Sequence, residues 1–316
     1  VTKPHTIRVG TRGSLLARTQ SRSAIDALTA GIDARVELVE VRTQGDVDRR
    51  PLATIGGTGV FVTAVRQALL DGEVDVIVHS CKDLPTAPAD GITLACIPPR
   101  EDPRDALVTR DGAQLMDLPS GARLGTGSPR RAAQLRRARP DLEVVAIRGN
   151  IDTRIARARG PQADLDGVIL ALSGLRRAGR DDVVAQALEP EVMLPAPAQG
   201  ALAIECREAD AAAESWLGAL LAAGNDAHTR AAVTAERSLL ATLEAGCSAP
   251  VAAHAVPTAD GLSVRALAIS PDGRTVVAGE RHGLPSAAAA LGRELAGDLL
   301  ARGAADLLAA ARSTAD

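Results

Sequence analysis

Lysine is scarce in this chain: only Lys3 and Lys82 occur, so 34 of the 36 basic residues are arginine. Lys82 lies in Ile77-Val78-His79-Ser80-Cys81-Lys82-Asp83-Leu84-Pro85, where an apolar run ends on a lysine and an aspartate. A carboxylate in cation-rich surroundings can move protons or stabilise a cationic intermediate. Asp83 could equally form a structural pair with a neighbouring cation, and His79 reads as a structural residue at a strand end. A second informative stretch is Gly125-Thr126-Gly127-Ser128-Pro129-Arg130-Arg131. Ser128 suits a helix N-cap and Pro129 the first helical position. Backbone N–H groups at such a start bind anions. Arg130 and Arg131 in the first turn oppose the helix dipole by a few tenths to about 1 kcal/mol, a cost that an anion would reverse. Arg148 and Arg154, flanking Asn150-Ile151-Asp152, extend the pattern. The alternative is a set of solvated arginines in an arginine-rich chain.

Other chemistries fit poorly. Cys81, Cys96, Cys206 and Cys247 include no C-x-x-C pair, and no two histidines stand at i,i+3 or i,i+4, so no metal is expected. Cys247 follows a helix that Gly246 looks suited to end, and a helix C-terminus disfavours a thiolate, so local physics marks it as structural. G-x-G-x-x-G after the first strand, the Walker pattern and G-x-S-x-G are all absent. Gly56-Gly57-Thr58-Gly59 is a glycine cluster and a weak phosphate signal. With Phe61 and Trp216 as its aromatic residues, no Tyr and a net charge of -3, the chain is not expected to bind nucleic acid. No apolar run reaches the roughly 18–20 residues of a membrane helix, and the first residues lack a signal-peptide layout. A soluble cytoplasmic protein is expected.

The elements needed to position these residues are legible. Strands are expected at 7–9, 36–41, 74–78 and 92–97, with helices at 14–28 and 60–70. Pro98-Pro99-Arg100-Glu101-Asp102-Pro103 reads as a hinge. A second α/β unit over 104–194 has strands at 106–108, 123–125, 144–147 and 168–171, and holds 15 Arg against 12 acids. Pro195-Ala196-Pro197 marks the return from it. Beyond about 224 come a helix at 228–243, strands at 251–256, 262–269 and 275–280 with a turn at Pro271-Asp272-Gly273, and a helix at 286–300. At 316 residues the chain exceeds what one core usually supports, so two or three domains are expected. Ligands of strand–helix units lie at the carboxyl ends of the parallel strands. The strands here run into glycine, arginine and one aspartate at those ends, which predicts a cleft between domains that grips anions.

Taken in order, these stretches resemble the porphobilinogen deaminase (hydroxymethylbilane synthase) family over essentially the whole chain. The resemblance is carried by Arg8 to Ala17, Gly56 to Phe61, Val78 to Pro85, Arg100 to Ala106, Gly125 to Arg131, Arg148-Gly149-Asn150 with Thr153-Arg154, Pro195 to Leu202, and Thr234 to Arg237 leading to Leu243-Glu244-Ala245-Gly246-Cys247. It implies two periplasmic-binding-protein-like α/β lobes plus a small α+β C-terminal domain with a three-stranded antiparallel sheet. The domains implied are 1–99 with a return at about 199–219, 104–194, and 224–316. The implied reaction joins four porphobilinogen molecules head to tail with loss of ammonia, giving hydroxymethylbilane for tetrapyrrole and haem biosynthesis. Growth occurs on a dipyrromethane cofactor held by a thioether to Cys247, which overrides the structural reading of that cysteine. Asp83 is implied as the catalytic carboxylate. Lys82, Ser128, Arg130, Arg131, Arg148 and Gly149 are implied at the cofactor. Arg12, Ser14, Arg154, Arg177 and Gln199 are implied at the substrate, with Arg176 competing with Arg177 for its role. No metal and no partner beyond the substrate are implied, and a monomer is expected. Thr58 and Thr63 stand where relatives often have lysine, and Ala198 where they often have glycine.

Overall fold

The computed structural model describes residues 5–41, 59–245 and 249–313, so Gly56-Gly57-Thr58 and Cys247 lie outside the described residues. In chain order the elements begin with β1 (His5–Thr11), α1 (Leu15–Leu28), β2 (Ala34–Glu40), α2 (Gly59–Leu70), β3 (Val76–Ser80) and β4 (Ile92–Cys96). Next come β5 (Asp105–Thr109), β6 (Arg123–Thr126), α3 (Pro129–Ala138), β7 (Glu143–Ala146), α4 (Ile151–Arg159), β8 (Gly167–Ala171), α5 (Leu172–Arg177) and β9 (Gln186–Leu188). The remainder is β10 (Leu202–Arg207), α6 (Trp216–Ala223), α7 (Ala227–Thr242), β11 (Val251–Thr258), β12 (Gly261–Ile269), β13 (Val276–Gly283), α8 (Ala288–Ala301) and α9 (Ala304–Ser313). Two compact units result, Val1–Arg100 with Ala201–Arg230, and Glu101–Gly200 with Ala231–Asp316.

The first unit is built on a five-stranded sheet of order β2-β1-β3-β10-β4. β1 runs parallel to β2 and β3, while β10 is antiparallel to β3 and β4. Side chains alternate across a strand, so β3 must be apolar on both faces if both are covered. Val76 and Val78 pack with Ile7, Val9 and Ile25 of α1. Ile77, between them, packs with Val65 and Leu69 of α2 on the other face. That is why residues 76–78 form an unbroken apolar run.

The second unit holds a five-stranded sheet of order β7-β6-β8-β5-β9 with the same pattern of neighbours. β6 is parallel to β7 and β8, and β5 is antiparallel to β8 and β9. Val168 and Leu170 of β8 face Ile155 and Ala158 of α4, while Ile169 faces Leu135 of α3. The unit also contains the antiparallel sheet β11-β12-β13. Leu239 of α7 and Leu291, Leu295 and Leu299 of α8 cover one face of it. The architecture is thus two mixed α/β sheets plus a three-stranded antiparallel sheet.

Five elements were not anticipated from the sequence: β9, β10, α5, α6 and α9. In β10, Leu-Ala-Ile-Glu-Cys-Arg, the charged Glu205 interrupts a strand that is nonetheless buried from Leu202 to Cys206. β9 is only three residues long, and α9 is a short alanine-rich helix whose Leu308 reaches the core.

Candidate functional site

In the first unit the candidate residues come after two neighbouring parallel strands. β1 ends at Thr11, and Arg12-Gly13-Ser14 leads into α1, where the Ser14 hydroxyl accepts the N–H of Ala17 at 3.3 Å and caps the helix. β3 ends at Ser80 and passes into a single 3-10 turn, Cys81–Asp83. The Cys81 N–H donates to the carbonyl of Ala201 at 3.0 Å, and the fully buried Cys81 side chain anchors the turn. Two buried polar residues of α1 tie these strand ends to the helix. Gln20 accepts from the Ser80 hydroxyl at 3.0 Å, and Ser21 donates to the Thr11 hydroxyl at 2.9 Å. Lys82 is half-buried, whereas Asp83 is exposed and its carboxylate accepts no hydrogen bond from the described residues.

His79 is structural in its contacts, as its position suggested. Its Nε2 lies 3.2 Å from Glu205, which also accepts two hydrogen bonds from Arg66 of α2, at 2.9 and 2.6 Å. Burial pushes the Glu205 carboxyl up, but hydrogen bonds from His79 and Arg66 outweigh it and hold the group at about 2. Glu205 therefore ties β10 to β3 and α2.

In the second unit the loops after β6 and β7, again neighbouring parallel strands, carry the arginines. Ser128 caps α3 by accepting the N–H of Arg131. Asn150 caps α4, accepting the N–H and the hydroxyl of Thr153, both at 2.8 Å. A Cβ on Gly127 would lie 2.6 Å from the carbonyl of Ile147, so the two loops close on one another only because residue 127 has no side chain. Arg154 donates to the carbonyl of Gly149 at 2.8 Å. Burial lowers its pKa, and the nearby Arg131 and Arg148 guanidiniums lower it further. Arg148 is exposed, and neither it nor Arg154 has a carboxylate partner among the described residues. Arg148 and Arg154, at the start of α4 and crowded by Arg131, leave positive charge that an anion can match.

Arg130 and Arg131 are not solvated. They are 3% and 5% exposed and converge on Asp105, which is fully buried at the start of β5. Arg131 donates to Asp105 Oδ1 from Nε at 2.9 Å and Nη2 at 2.7 Å, and Arg130 Nη2 lies 2.8 Å from Oδ2. Gln199, also fully buried, donates to the same Oδ1 at 2.8 Å and to the carbonyl of Pro103 at 2.7 Å. Burial raises the Asp105 pKa, but the two guanidiniums overcome this and bring it to about 2. The carboxylate is thus held charged in the core. Asp105 was not among the sequence-derived candidates; it falls between the expected hinge at Pro98–Pro103 and the strand expected at 106–108. Its one signal was an acid placed directly against the wholly buried run Ala106-Leu107-Val108.

Arg176 and Arg177 diverge at the end of α5. Arg176 is exposed and paired with Glu101 at 2.7 Å. Arg177 is half-buried, donates to the carbonyl of Gly200 at 2.6 Å, and has its pKa lowered by burial. Gly200 has φ +90°, and a Cβ there would lie 2.3 Å from the carbonyl of Glu101. Ala198, two residues earlier, also takes a positive φ of 60°, a conformation that costs an alanine more than it would a glycine. The described residues contain no group of three or more His, Cys, Asp or Glu side chains arranged to hold a metal.

A mixed α/β sheet whose loops present Arg148 and Arg154 without carboxylate partners among the described residues, beside a buried Arg–Arg–Asp cluster, is suited to holding anions. Comparison with known proteins places the chain more closely. A family model described as porphobilinogen deaminase, dipyromethane cofactor binding domain, matches residues 7–215, and one for the porphobilinogen deaminase C-terminal domain matches 230–301. A porphobilinogen deaminase of Acidothermus cellulolyticus is 51% identical over 311 residues, covering 98% of this chain and 93% of that protein. Porphobilinogen deaminase 1 of Streptomyces coelicolor is 53% identical over 315 residues, covering 96% and 97%. Among solved structures, the BenM effector binding domain with its effector benzoate is similar at 15% identity, covering 70% of this chain and 90% of that one with a TM-score of 0.40. The chain belongs to the porphobilinogen deaminase family.

Proposed function

We propose that this chain is a transferase, a hydroxymethylbilane synthase, that condenses four porphobilinogen molecules head to tail on a dipyrromethane primer attached through Cys247. The observation that carries the reading is that Arg148 and Arg154, crowded by Arg131, have no matching carboxylate among the described residues, while Arg130 and Arg131 share one, Asp105. Each pyrrole of the primer and substrate bears two carboxylates, so this donor set fits the group. When bound, the primer supplies the pyrrole carbon to which the first substrate is joined. Arg148 and Arg154 would hold its carboxylates, helped by the N–H groups at the starts of α3 and α4. Lys82, Ser128, Arg130, Arg131 and Gly149 belong to the same proposed primer set. Arg12, Ser14, Arg177 and Gln199 are the remaining proposed substrate contacts, Gln199 acting through Asp105.

In each condensation the C–N bond of the incoming substrate breaks and ammonia leaves, its methylene carbon bonds to the terminal pyrrole carbon of the growing chain, and that terminal carbon loses a proton. Positive charge builds on the incoming pyrrole as ammonia departs. The exposed Asp83 carboxylate, unengaged by the described residues, is available to stabilise that charge and to carry the proton. The proposed division is 1–99 with 199–219, 104–194 and 224–316, which the three sheets support. A cytoplasmic monomer is part of the same reading, and light scattering tests the monomer.

Intact mass of the purified protein tests the proposal. The wild type should exceed its sequence mass by one dipyrromethane, and Cys247→Ser should lack the excess. An unmodified wild type that releases no ammonia from porphobilinogen would overturn the reading.

A further inference from the structure

Asp105 does something that anion binding alone does not require. Two guanidiniums lie side by side in the first turn of α3, 3% and 5% exposed, where the helix dipole already disfavours cations. Their neutral partners include the carbonyl of Leu194, which accepts from Arg130 at 2.7 Å, and the carbonyl of Ile169 and the Gln199 side-chain oxygen, which accept from Arg131 at 3.2 and 3.4 Å. Among the described residues Asp105 is the carboxylate paired with either of them. A buried charge is tolerated only when paired, and removing one partner from such a group is far worse than never having built it. Gln199 fixes the carboxylate itself, bonding both Asp105 and the carbonyl of Pro103.

We propose that Asp105 is a resident counter-ion, a positioning residue that keeps Arg130 and Arg131 folded into the site before any anionic primer is present. This rests on the proposed function, in which the site accepts a polycarboxylate. One aspartate against two arginines leaves a net positive charge, so the cluster is stable when empty and still attracts an anion. The loops are therefore preorganised, and the ligand need not order them when it arrives.

The test uses the full chain carrying Cys247→Ala, which cannot attach a primer, with and without Asp105→Asn. The isosteric amide keeps the packing and removes the charge. Asp105→Asn should lower the thermal midpoint by roughly 6–15 °C in dilute chloride. Benzene-1,2,4-tricarboxylate should restore at least half of that loss while moving the Asp105 parent by only a few degrees. Adding Arg130→Met to Asp105→Asn should raise the midpoint, because it removes the surplus cation. A single variant that does not fold, beside a folded double variant, supports the proposal in the same way. An unchanged midpoint, or a loss that neither the tricarboxylate nor Arg130→Met recovers, overturns it. The wild-type mass decides separately whether a primer is carried, so failure of the functional reading is distinguishable from failure of the counter-ion.

Discussion

Asp83 and Asp105 are both aspartates, and their surroundings suit them to opposite tasks. Asp105 is sealed in the core with its oxygens committed to Arg130, Arg131 and Gln199, so it can hold charges still but has no access to a substrate. Asp83 is exposed at the end of a 3-10 turn, with no described hydrogen bond to give up, which suits it to the proposed contact with a cationic pyrrole. Replacing Asp83 by Asn keeps the size and removes the charge that matters at the cationic stage. Turnover is expected to fall by at least ~10²-fold with an unchanged circular dichroism spectrum. Asp83→Glu should keep part of the activity, since the charge survives at a displaced position. Ammonia release and bilane formation measure both, and near-native turnover in a folded Asp83→Asn protein removes Asp83 from the mechanism.

The loops after β6 and β7 act together because each is pinned by the helix it starts. Asn150 closes the first turn of α4 by accepting two hydrogen bonds from Thr153, and α4 carries Arg154 one residue further on. Asn150→Ala should cost about 1 kcal/mol of stability, the usual loss of a cap. Its larger effect should be on anion affinity, because Arg148 and Arg154 flank the released turn. Gly127→Ala is a more severe test. A methyl group 2.6 Å from the Ile147 carbonyl must push the two loops apart, at a cost of roughly 1–3 kcal/mol. Calorimetric titration with the tricarboxylate should show weaker binding for both variants, most for Gly127→Ala. Unchanged affinity in Gly127→Ala would mean that loop closure does not shape the site.

Each unit has a buried carboxylate that ties its sheet to a neighbouring helix, Glu205 to α2 in the first and Asp105 to α3 in the second. Both are held at about 2, below their ordinary values of 4.5 and 3.8. A depressed carboxyl contributes its stability in full above its unfolded pKa and loses it as the pH falls through the folded one. One pKa unit corresponds to about 1.4 kcal/mol, so the loss per group is on the order of a few kcal/mol. The thermal midpoint should therefore decline between about pH 4.5 and pH 2. Glu205→Gln should be less stable at neutral pH and flatter over this range, since it no longer has that proton to gain. A midpoint that stays level down to pH 2 in the wild type would show that neither pair is coupled to folding.

The features that could be read directly from the chain are those that neighbouring residues decide among themselves. Ser14 and Ser128 as caps, Pro129 at a first helical position, the apolar run of β3 and the turn at Gly273 rest on interactions spanning a few residues, and the residue types alone identify them. The arginine-rich loops at strand ends were legible for the same reason, since their order along the chain places them after strands. Charge compensation was not legible. Arg131 finds Asp105 across 26 residues, Ser80 finds Gln20 across 60, and Arg66 finds Glu205 across 139. Nothing in the local sequence distinguishes a buried acid with a distant cation from a solvated one. The difference is made by desolvation, which exists only once the sheets have formed and water has been excluded. The tertiary structure alone therefore decided that Arg130 and Arg131 are core residues with an internal counter-ion, that Arg177 rather than Arg176 is the half-buried arginine of α5, and that Glu205 sits inside a strand.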